Sequence, residues 1–512
     1  MQITKKNTLL VVNPATGETF EEIEETGPDQ TEQYYHKSRK AQASWGKMSI
    51  EERMVFFRKL RLYMVENMRE IAEVISKDTG KVLTEAITAD VMPTIDAIVH
   101  IEKRARKVLS PQKVSTPLLL IGKKSYVEYM PRGVVLVISP WNYPLNLAMV
   151  PVLSALAGGN AVILKPSEIT PLVGKLIGEL FNKVEFPQDI VQIAQGGKKV
   201  GEAFTQGDPD YIFFTGSVST GKKIAEAAAK KLIPTTLELG GKDPMIVFSD
   251  AHLKRAAKGA VWGAFTNSGQ VCMSTERLYV EEAVYSQFLS LVKEEANSIK
   301  RGIEKDADLG SMTYIGQKKI IQHQLNDALE QGARLAVGTP PEKWVNGMFI
   351  PLMILTDVTE EMDIMKEETF GPVLPIVKFT TEEEVVEKAN STQYGLNASV
   401  WTADLKKARR ISRRLISGSV VINDVITSVA NHHLPFGGTK NSGIGRYHGD
   451  AGLRVFCHEK SILMDKGRKR TEVQWFPYQG KYERFVSLFQ NYFGKKRNWM
   501  KFAKDYLSLL KK

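Results

Sequence analysis

Residues 147–164 read LAMVPVLSALAGGNAVIL, eighteen positions without a charge, and two folds accommodate such a run. About eighteen apolar residues is the lower limit for a helix that spans a bilayer. A buried α/β core uses similar segments, but in shorter pieces divided by turns. Pro151 and the turn Gly158-Gly159-Asn160 cut this run into a short helical piece and a strand over residues 161–164, because proline lacks a backbone donor and Gly-Gly-Asn favours a reversal. The stretch is therefore read as the centre of a soluble α/β protein.

Outward from it the alternation continues. Residues 50–79 carry one long helical pattern and residues 134–138 a buried strand, while residues 171–181 read as the crossover helix after the strand at 161–164. A strand at 211–215, a helix at 221–231 and a strand at 235–239 follow. Apolar strands alternating with helices imply a mostly parallel sheet covered on both faces. With 512 residues the chain is long enough for two or three domains. It shows no internal repeat and no long low-complexity linker before its last segment.

Two cysteines far apart, Cys272 and Cys457, form no disulfide framework, and residues 1–17, MQITKKNTLLVVNPATG, lack the apolar core of a signal peptide. A reducing, cytoplasmic setting is expected. The formal charge of +11 is unevenly placed: residues 466–512 hold thirteen Lys or Arg against the acids Glu472, Glu483 and Asp505, a net +10. Within them Tyr482, Phe485, Val486, Phe489, Tyr492 and Phe493 recur at helical steps, as do Trp499, Phe502, Ala503, Tyr506, Leu509 and Leu510. Two basic amphipathic helices are predicted, joined by a segment containing Lys495-Lys496-Arg497. Such helices lie on anionic membrane surfaces; packing on the protein's own body or on a partner subunit is the alternative. Nucleic acid is set aside because no reading module accompanies the charge.

Several segments carry chemistry. In FFTGSVSTG, residues 213–221, Gly216 and Gly221 stand between a strand and a helix, where free N–H groups and the helix dipole favour a diphosphate, although the spacing is not the usual dinucleotide fingerprint. In LKPSE, residues 164–168, Lys165 and Glu168 can hold ribose hydroxyls, and a carboxylate there repels a 2′-phosphate. Cys272, in GQVCMS, follows a small polar stretch rather than an apolar run. A thiolate that attacks an aldehyde needs oxyanion donors, a hydride acceptor and a base to release the thioester. Asn142 in SPWNYP is a candidate donor beside the backbone N–H of Cys272, and Glu238 in LELGGKDP a candidate base, with Gly240 and Gly241 leaving room for close approach. Each residue alone has an ordinary structural explanation, as a turn cap, a loop anchor or a buried small hydrophobe; it is the set that points to catalysis.

The segments SPWNYP, LKPSE, FFTGSVSTGKKI, LELGGKDP, GQVCMS, EETFGPV and LPFGGTKNSGIGRYHG, in this order, resemble the aldehyde dehydrogenase superfamily over residues 10–465. The combination of Arg446-Tyr447-His448-Gly449 with Pro435-Phe436-Gly437-Gly438 is similar to the branch of fatty- and aromatic-aldehyde enzymes. The resemblance implies an α/β fold with a Rossmann-type coenzyme domain (residues 1–111 and 130–240), an α/β catalytic domain (241–440) and a β bridging or oligomerisation element (112–129 and 441–465), followed by the basic amphipathic extension, 466–512. A homodimer or homotetramer is implied by the bridging element.

By the same resemblance Cys272 is the nucleophile, Asn142 an oxyanion donor and Glu238 the base that activates water. Trp141, Lys165, Glu168, Gly216, Ser217, Gly221, Glu368 and Phe370 contact the coenzyme; NAD is expected, with NADP accepted by some relatives. Tyr143, Leu147, Val150, Val271 and Met273 line an apolar approach to the thiol, which with the aromatic, basic extension favours medium- to long-chain or aromatic aldehydes. Relatives that pass the acyl group to coenzyme A tend to lack the glutamate, so Glu238 favours hydrolysis to a free acid over acyl transfer. A semialdehyde substrate is the other alternative, and a catalytically silent membrane-binding protein fits poorly with intact Asn142, Glu238 and Cys272. His432 and His433 have no third ligand at metal spacing, so no metal is expected, and Cys457 and Met245 are read as packing.

Overall fold

The computed structural model describes residues 8–344 and 347–510. Residues 1–7 of the segment read for a leader, and Lys511 and Lys512 of the basic extension, lie outside the described residues. The chain divides into two compact units, Met1–Ser110 with Tyr129–Lys460, and Pro111–Glu128 with Ser461–Lys512.

The first unit holds two large sheets. In the six-stranded one the order is Gly443–Ile444, Thr235–Glu238, Tyr211–Thr215, Val134–Ile138, Ala161–Lys165, Val191–Ile193; the pairings are parallel except at Gly443–Ile444, which closes the edge antiparallel to Thr235–Glu238. Val134–Ile138 and Ala161–Lys165 are buried at every position, as strands covered on both faces must be. The chain leaves Val134–Ile138 toward one neighbour first and the other later. That switch of direction opens a crevice outside the carboxyl ends of the strands, the usual ligand position in such sheets.

The seven-stranded sheet runs in the order Arg334–Val337, Met353–Thr356, Val373–Phe379, Thr275–Glu281, Asp243–Val247, Asn397–Trp401, Ser419–Ile422, parallel except between the first two. Only four residues separate Thr235–Glu238, in the first sheet, from Asp243–Val247, in the second. Carboxyl ends of one sheet therefore face amino ends of the other.

The deciding stretch forms a helix, Asn146–Ala157, and the strand Ala161–Lys165. Pro151 does not cut it: the ring sits inside the helix. All but one of the helix's residues are buried, so packing on every side holds it together where one backbone hydrogen bond is missing. The pattern over residues 50–79 is two helices, Ile50–Glu66 and Met68–Thr79, divided at Asn67, whose φ of −107° and ψ of 17° leave the helical range. Asn67 turns its amide back onto the Tyr63 carbonyl at 2.8 Å, the local competition that makes asparagine a helix terminator.

In the second unit Gln112–Val114 pairs antiparallel with Lys124–Pro131, on whose other side lies Cys457–Met464. Its remainder contains the two expected helices, Tyr482–Phe493 and Trp499–Leu510. Among the described residues no helix is long and apolar enough to cross a membrane.

Gly221 lies inside the helix Val218–Ala229, where an added Cβ would stand 2.6 Å from the Leu239 Cδ2. Gly221→Val is expected to lower stability by about 1–3 kcal/mol through overpacking, read as a shift of the urea unfolding midpoint.

Candidate active site

Cys272 is reached through a left-handed backbone bend. Asn267, Ser268 and Gly269 have consecutive φ values of 51°, 57° and 72°, a left-handed run that costs energy at the two non-glycine positions. Gly269 is needed for a second reason, because a Cβ there would fall 2.2 Å from the Gly371 carbonyl oxygen. The bend is over-determined by side chains. Buried Gln270 accepts from Thr313 N at 2.8 Å and donates to the Asn267 carbonyl at 2.8 Å, while Ser268 Oγ donates to the Gly310 carbonyl at 2.9 Å.

Cys272 keeps part of its surface open and lines two cavities at once. One, of about 650 Å³, has apolar walls that include Leu147, Val261, Phe265, Ile299, Phe436 and Tyr447. The other, of about 580 Å³, is bordered by Trp141, Asn142, Gly216, Ser217, Glu368 and Phe370. Glu238 and Leu147 also line both. The thiol thus stands at the seam between an apolar chamber and a polar, glycine-edged one.

Of the apolar approach residues, Tyr143, Leu147, Val271 and Met273 lie on the larger cavity wall, whereas Val150 is buried in its helix and absent from that wall. Lys165 and Glu168 form an ion pair at 2.7 Å, and neither they nor Gly221 line the second cavity. Ser217 caps the helix Val218–Ala229 by accepting from Thr220 N. The helix's free N–H groups open beside Gly216 and Lys222, a setting suited to a diphosphate.

The acids here are shaped by burial. Both carboxylate oxygens of Glu238 are buried without a hydrogen-bond partner, and this desolvation holds its carboxyl well above the usual range against the opposing pull of Arg446. Burial, helped by Glu368, Asp243 and Glu238, likewise pushes the Cys272 thiol up. Glu368 is raised to about 8 by burial and by Glu276. It approaches Gly241 N at 3.2 Å across Gly240, where a Cβ would strike its carboxylate at 2.2 Å. Phe370 N and Thr369 N both donate to Glu276, at 2.9 and 2.8 Å, and Lys242 donates to Glu276 at 2.6 Å. Trp141 meets the Phe370 ring edge-on at 5.4 Å.

Asn142 is held from behind by residues that the sequence did not single out. Its Nδ2 donates to the Gln270 carbonyl at 2.9 Å, which leaves the amide's second N–H for a ligand. Its own carbonyl accepts from Lys81 Nζ at 2.8 Å and from Asn267 Nδ2 at 3.1 Å. Lys81 pairs with Asp90 at 2.7 Å, the two side chains being 1% and 0% exposed, and its ammonium lies 4.2 Å from the centre of the Tyr143 ring. Asp90 accepts from Leu145 N and Asn146 N at 3.2 and 3.1 Å. Glu85 accepts from Asn267 N and Thr266 Oγ1 at 2.7 and 2.9 Å.

Glu85 and Asp90 are five positions apart and would diverge around an α-helix. The π-helical turn Ala86–Val91 brings them to one side. Three charged residues, Lys81, Glu85 and Asp90, in the otherwise uncharged segment 81–91 were the only sequence signal for this clamp, and they do not reveal the π turn.

Among the described residues no group of three or more His, Cys, Asp and Glu is arranged to hold a metal ion. His432 Nε2 donates to the Pro93 carbonyl at 3.0 Å, and its ring packs on His448. Cys457 is buried, and Met245 is fully buried in the core.

The sequence model described as the aldehyde dehydrogenase family matches residues 2–462. The 4,4'-diapolycopene aldehyde oxidase of a Methylomonas species is 40% identical over 95% of this chain and 92% of its own. The betaine aldehyde dehydrogenase of Sinorhizobium fredii is 36% identical over 89% of this chain and 94% of its own. An aldehyde dehydrogenase of Bacillus cereus, solved as an NAD+ complex, superposes with a TM-score of 0.85 at 33% identity, covering 90% of this chain and 94% of the other.

Lys81→Met strands the Asp90 carboxylate and is expected to cost about 3–5 kcal/mol, as broken buried pairs do. The double change Lys81→Met with Asp90→Leu should regain most of that loss in chemical denaturation, because no charge is then left without a partner.

Proposed function

The chain belongs to the aldehyde dehydrogenase family, an NAD(P)-dependent aldehyde oxidoreductase by that membership, and on this premise we propose that it oxidises apolar medium- to long-chain or aromatic aldehydes to free acids. The observation that carries the proposal is the position of Cys272 and Glu238 on the walls of both cavities.

In this reading the aldehyde enters through the larger cavity and the coenzyme occupies the smaller. The smaller cavity fits a dinucleotide by its donors and its close approaches: free N–H groups at Val218 and Ser219 in the helix's first turn, glycine at 240, the Glu368 carboxyl and the Trp141 and Phe370 rings. When bound, the coenzyme accepts a hydride. The chain's own groups do the rest. Cys272 Sγ, once it has lost its proton, attacks the carbonyl carbon and forms a thiohemiacetal. The second N–H of Asn142 Nδ2 and the Cys272 backbone N–H donate to its oxyanion. Such donors are worth about 3 kcal/mol each when aligned in advance, and the Lys81–Asp90–Glu85 clamp supplies the alignment. Loss of hydride leaves a thioester on Cys272. Glu238, ionised, takes a proton from water; the resulting hydroxide adds to the thioester carbon, and the thiolate leaves as the acid is released.

Lys165 and Glu168, carried over from the family resemblance, are assigned to the adenosine ribose. The Glu168 carboxylate favours NAD over NADP. Gly216 and Ser217 border the diphosphate, Glu368 and Phe370 the nicotinamide end, and Gly221 supports this loop by packing beneath Leu239. Residues 1–111 with 130–240 are assigned as the coenzyme domain and 241–440 as the catalytic domain. The bridging strands at 112–129 and 441–465 are assigned as the contact through which dimers or tetramers form. The enzyme is placed in the cytoplasm, at the inner face of a membrane.

The substrate class follows from the larger cavity. At about 650 Å³ it lies within the range of about 300–1,000 Å³ typical of sites for sizeable organic ligands. Among its described lining residues the single cation is Lys258, which is paired with Glu295 at 3.8 Å. An anionic semialdehyde therefore finds no free counter-charge, while an extended hydrocarbon finds Leu147, Val261, Phe265 and Ile299. The relative whose name gives it 4,4'-diapolycopene aldehyde supports the same class.

Two measurements test this reading. NADH formation across straight-chain aldehydes of two to sixteen carbons should gain efficiency with length, with Ala89→Phe, on the cavity wall, removing the gain while sparing acetaldehyde. A maximum at succinate semialdehyde would overturn the substrate class. Glu238→Gln should release about one NADH per site in a burst and then turn over slowly, with Cys272→Ala giving no burst. Because Cys272 and Glu238 are both raised and both act deprotonated, wild-type kcat/KM should climb as pH rises above neutrality; a fall in that direction would contradict the assigned roles.

A further inference from the structure

The two helices of the basic extension, Tyr482–Phe493 and Trp499–Leu510, form a hairpin with a small core of its own. Leu488, Phe502, Tyr506 and Leu509 are buried with Val473, and Phe485 and Tyr492 pack against them. Polar contacts lock the pair: Arg484 Nη1 donates to Ser508 Oγ at 2.6 Å, and Ser487 Oγ to Asp505 Oδ2 at 2.7 Å.

This packing uses only part of the apolar surface. On the first helix Tyr482, Phe489 and Phe493 repeat at steps of seven and four, so they form one stripe, and all three are exposed, Phe493 by 68%. On the second, Met500, Ala503 and Leu507 repeat at three and four and are exposed, Met500 by 85%. Trp475, Phe476 and Tyr478 add three exposed rings just before the hairpin. Single exposed apolar residues are ordinary on a protein surface, but repeated stripes of them mark a binding surface.

Charge identifies the occupant. Lys495, Lys496 and Arg497 in the bend, and Lys501 and Lys504 on the second helix, are exposed, and among the described residues none of the five is in an ion pair. A second copy of the chain would bring the same +10 segment against its like. A nucleic acid would satisfy the cations and leave the apolar stripes wet. A bilayer with anionic headgroups satisfies both, since aromatic side chains settle at the headgroup level while Lys and Arg reach lipid phosphates.

We propose that the hairpin of residues 475–510 docks the enzyme peripherally on anionic lipid bilayers. This deepens the reading of an apolar aldehyde as substrate, because such a compound dissolves in the bilayer that the hairpin contacts. Docking itself is measured without turnover, so the two readings fail separately.

The experiment is co-sedimentation of the full chain with phosphatidylcholine vesicles, with and without one-third phosphatidylglycerol, at low and high salt. Binding is expected to the anionic vesicles only and to fall as salt is raised. Lys495→Glu/Lys496→Glu/Arg497→Glu, in the exposed bend, should weaken it by about tenfold or more. Phe489→Ser/Phe493→Ser should weaken it at either salt. Both variants should keep full activity on acetaldehyde, which reports an intact active site. Equal binding to neutral and anionic vesicles, or no binding to either, overturns the proposal. So does a wild-type dimer that Phe489→Ser/Phe493→Ser dissociates without any change in vesicle binding, since a second copy would then cover the stripe. Release from vesicles by duplex DNA at stoichiometric amounts would reassign the face to nucleic acid.

Discussion

The contact between Lys81 and Asp90 is the constraint on which the geometry around the thiol rests. Removing an ammonium and a carboxylate from water costs several kcal/mol per ion, and mutual attraction repays this only when every remaining donor and acceptor is used. Here they are used on the active-site backbone. The ammonium also donates to the Asn142 carbonyl, and the carboxylate also accepts from Leu145 N and Asn146 N. The pair therefore converts a desolvation cost into a fixed position for one peptide. Asn267 Nδ2, bonded to the same carbonyl, links that peptide to the strained bend before Cys272, and Glu85 holds the bend's first amide.

The same low-polarity surroundings set the chemistry. Glu238 has no hydrogen-bond partner for either oxygen, a costly arrangement for an ionised carboxylate and a tolerable one for a protonated acid. In the role proposed for it, a carboxyl kept protonated by its surroundings is a strong base once it ionises, and Glu238 lines both cavities. Cys272 and Glu368 share this condition, and the Glu368 and Glu238 carboxyls add to the rise of the Cys272 thiol. Glycines at 240 and 269 matter here for one physical reason: the backbone passes so close to Glu368 and to the Gly371 carbonyl that no side chain fits.

Much of the fold was legible in the residues. Val134–Ile138 and Ala161–Lys165 read as buried strands because a strand covered on both faces must be apolar at every position, and both are buried throughout. The hairpin helices were legible from aromatic spacing alone. Where local rules failed, tertiary packing or a local side-chain bond outweighed them. Pro151 remains inside a helix because the surrounding core holds that helix in place, and the pattern of residues 50–79 breaks at Asn67 because its side chain competes for the helical carbonyl. Gly221, which looked like part of a phosphate loop, lies one turn further on, as a packing glycine under Leu239.

The candidate site divides along the same line. Cys272, Glu238 and Asn142 were visible in sequence because their chemistry demands particular residue types in short, recognisable contexts, and a family resemblance runs through those contexts. The sequence by itself therefore determined the α/β class, the family, the candidate nucleophile, base and oxyanion donor, and the charge asymmetry of the extension. Only the tertiary structure decided that Cys272 and Glu238 share two cavities, that a π turn aims Glu85 and Asp90 the same way, that Lys81 reaches the Asn142 carbonyl, and which aromatic residues of the extension remain uncovered. These are relations between residues as much as 182 positions apart, fixed by burial and by hydrogen bonds that close only when the core has formed, and no local pattern encodes them.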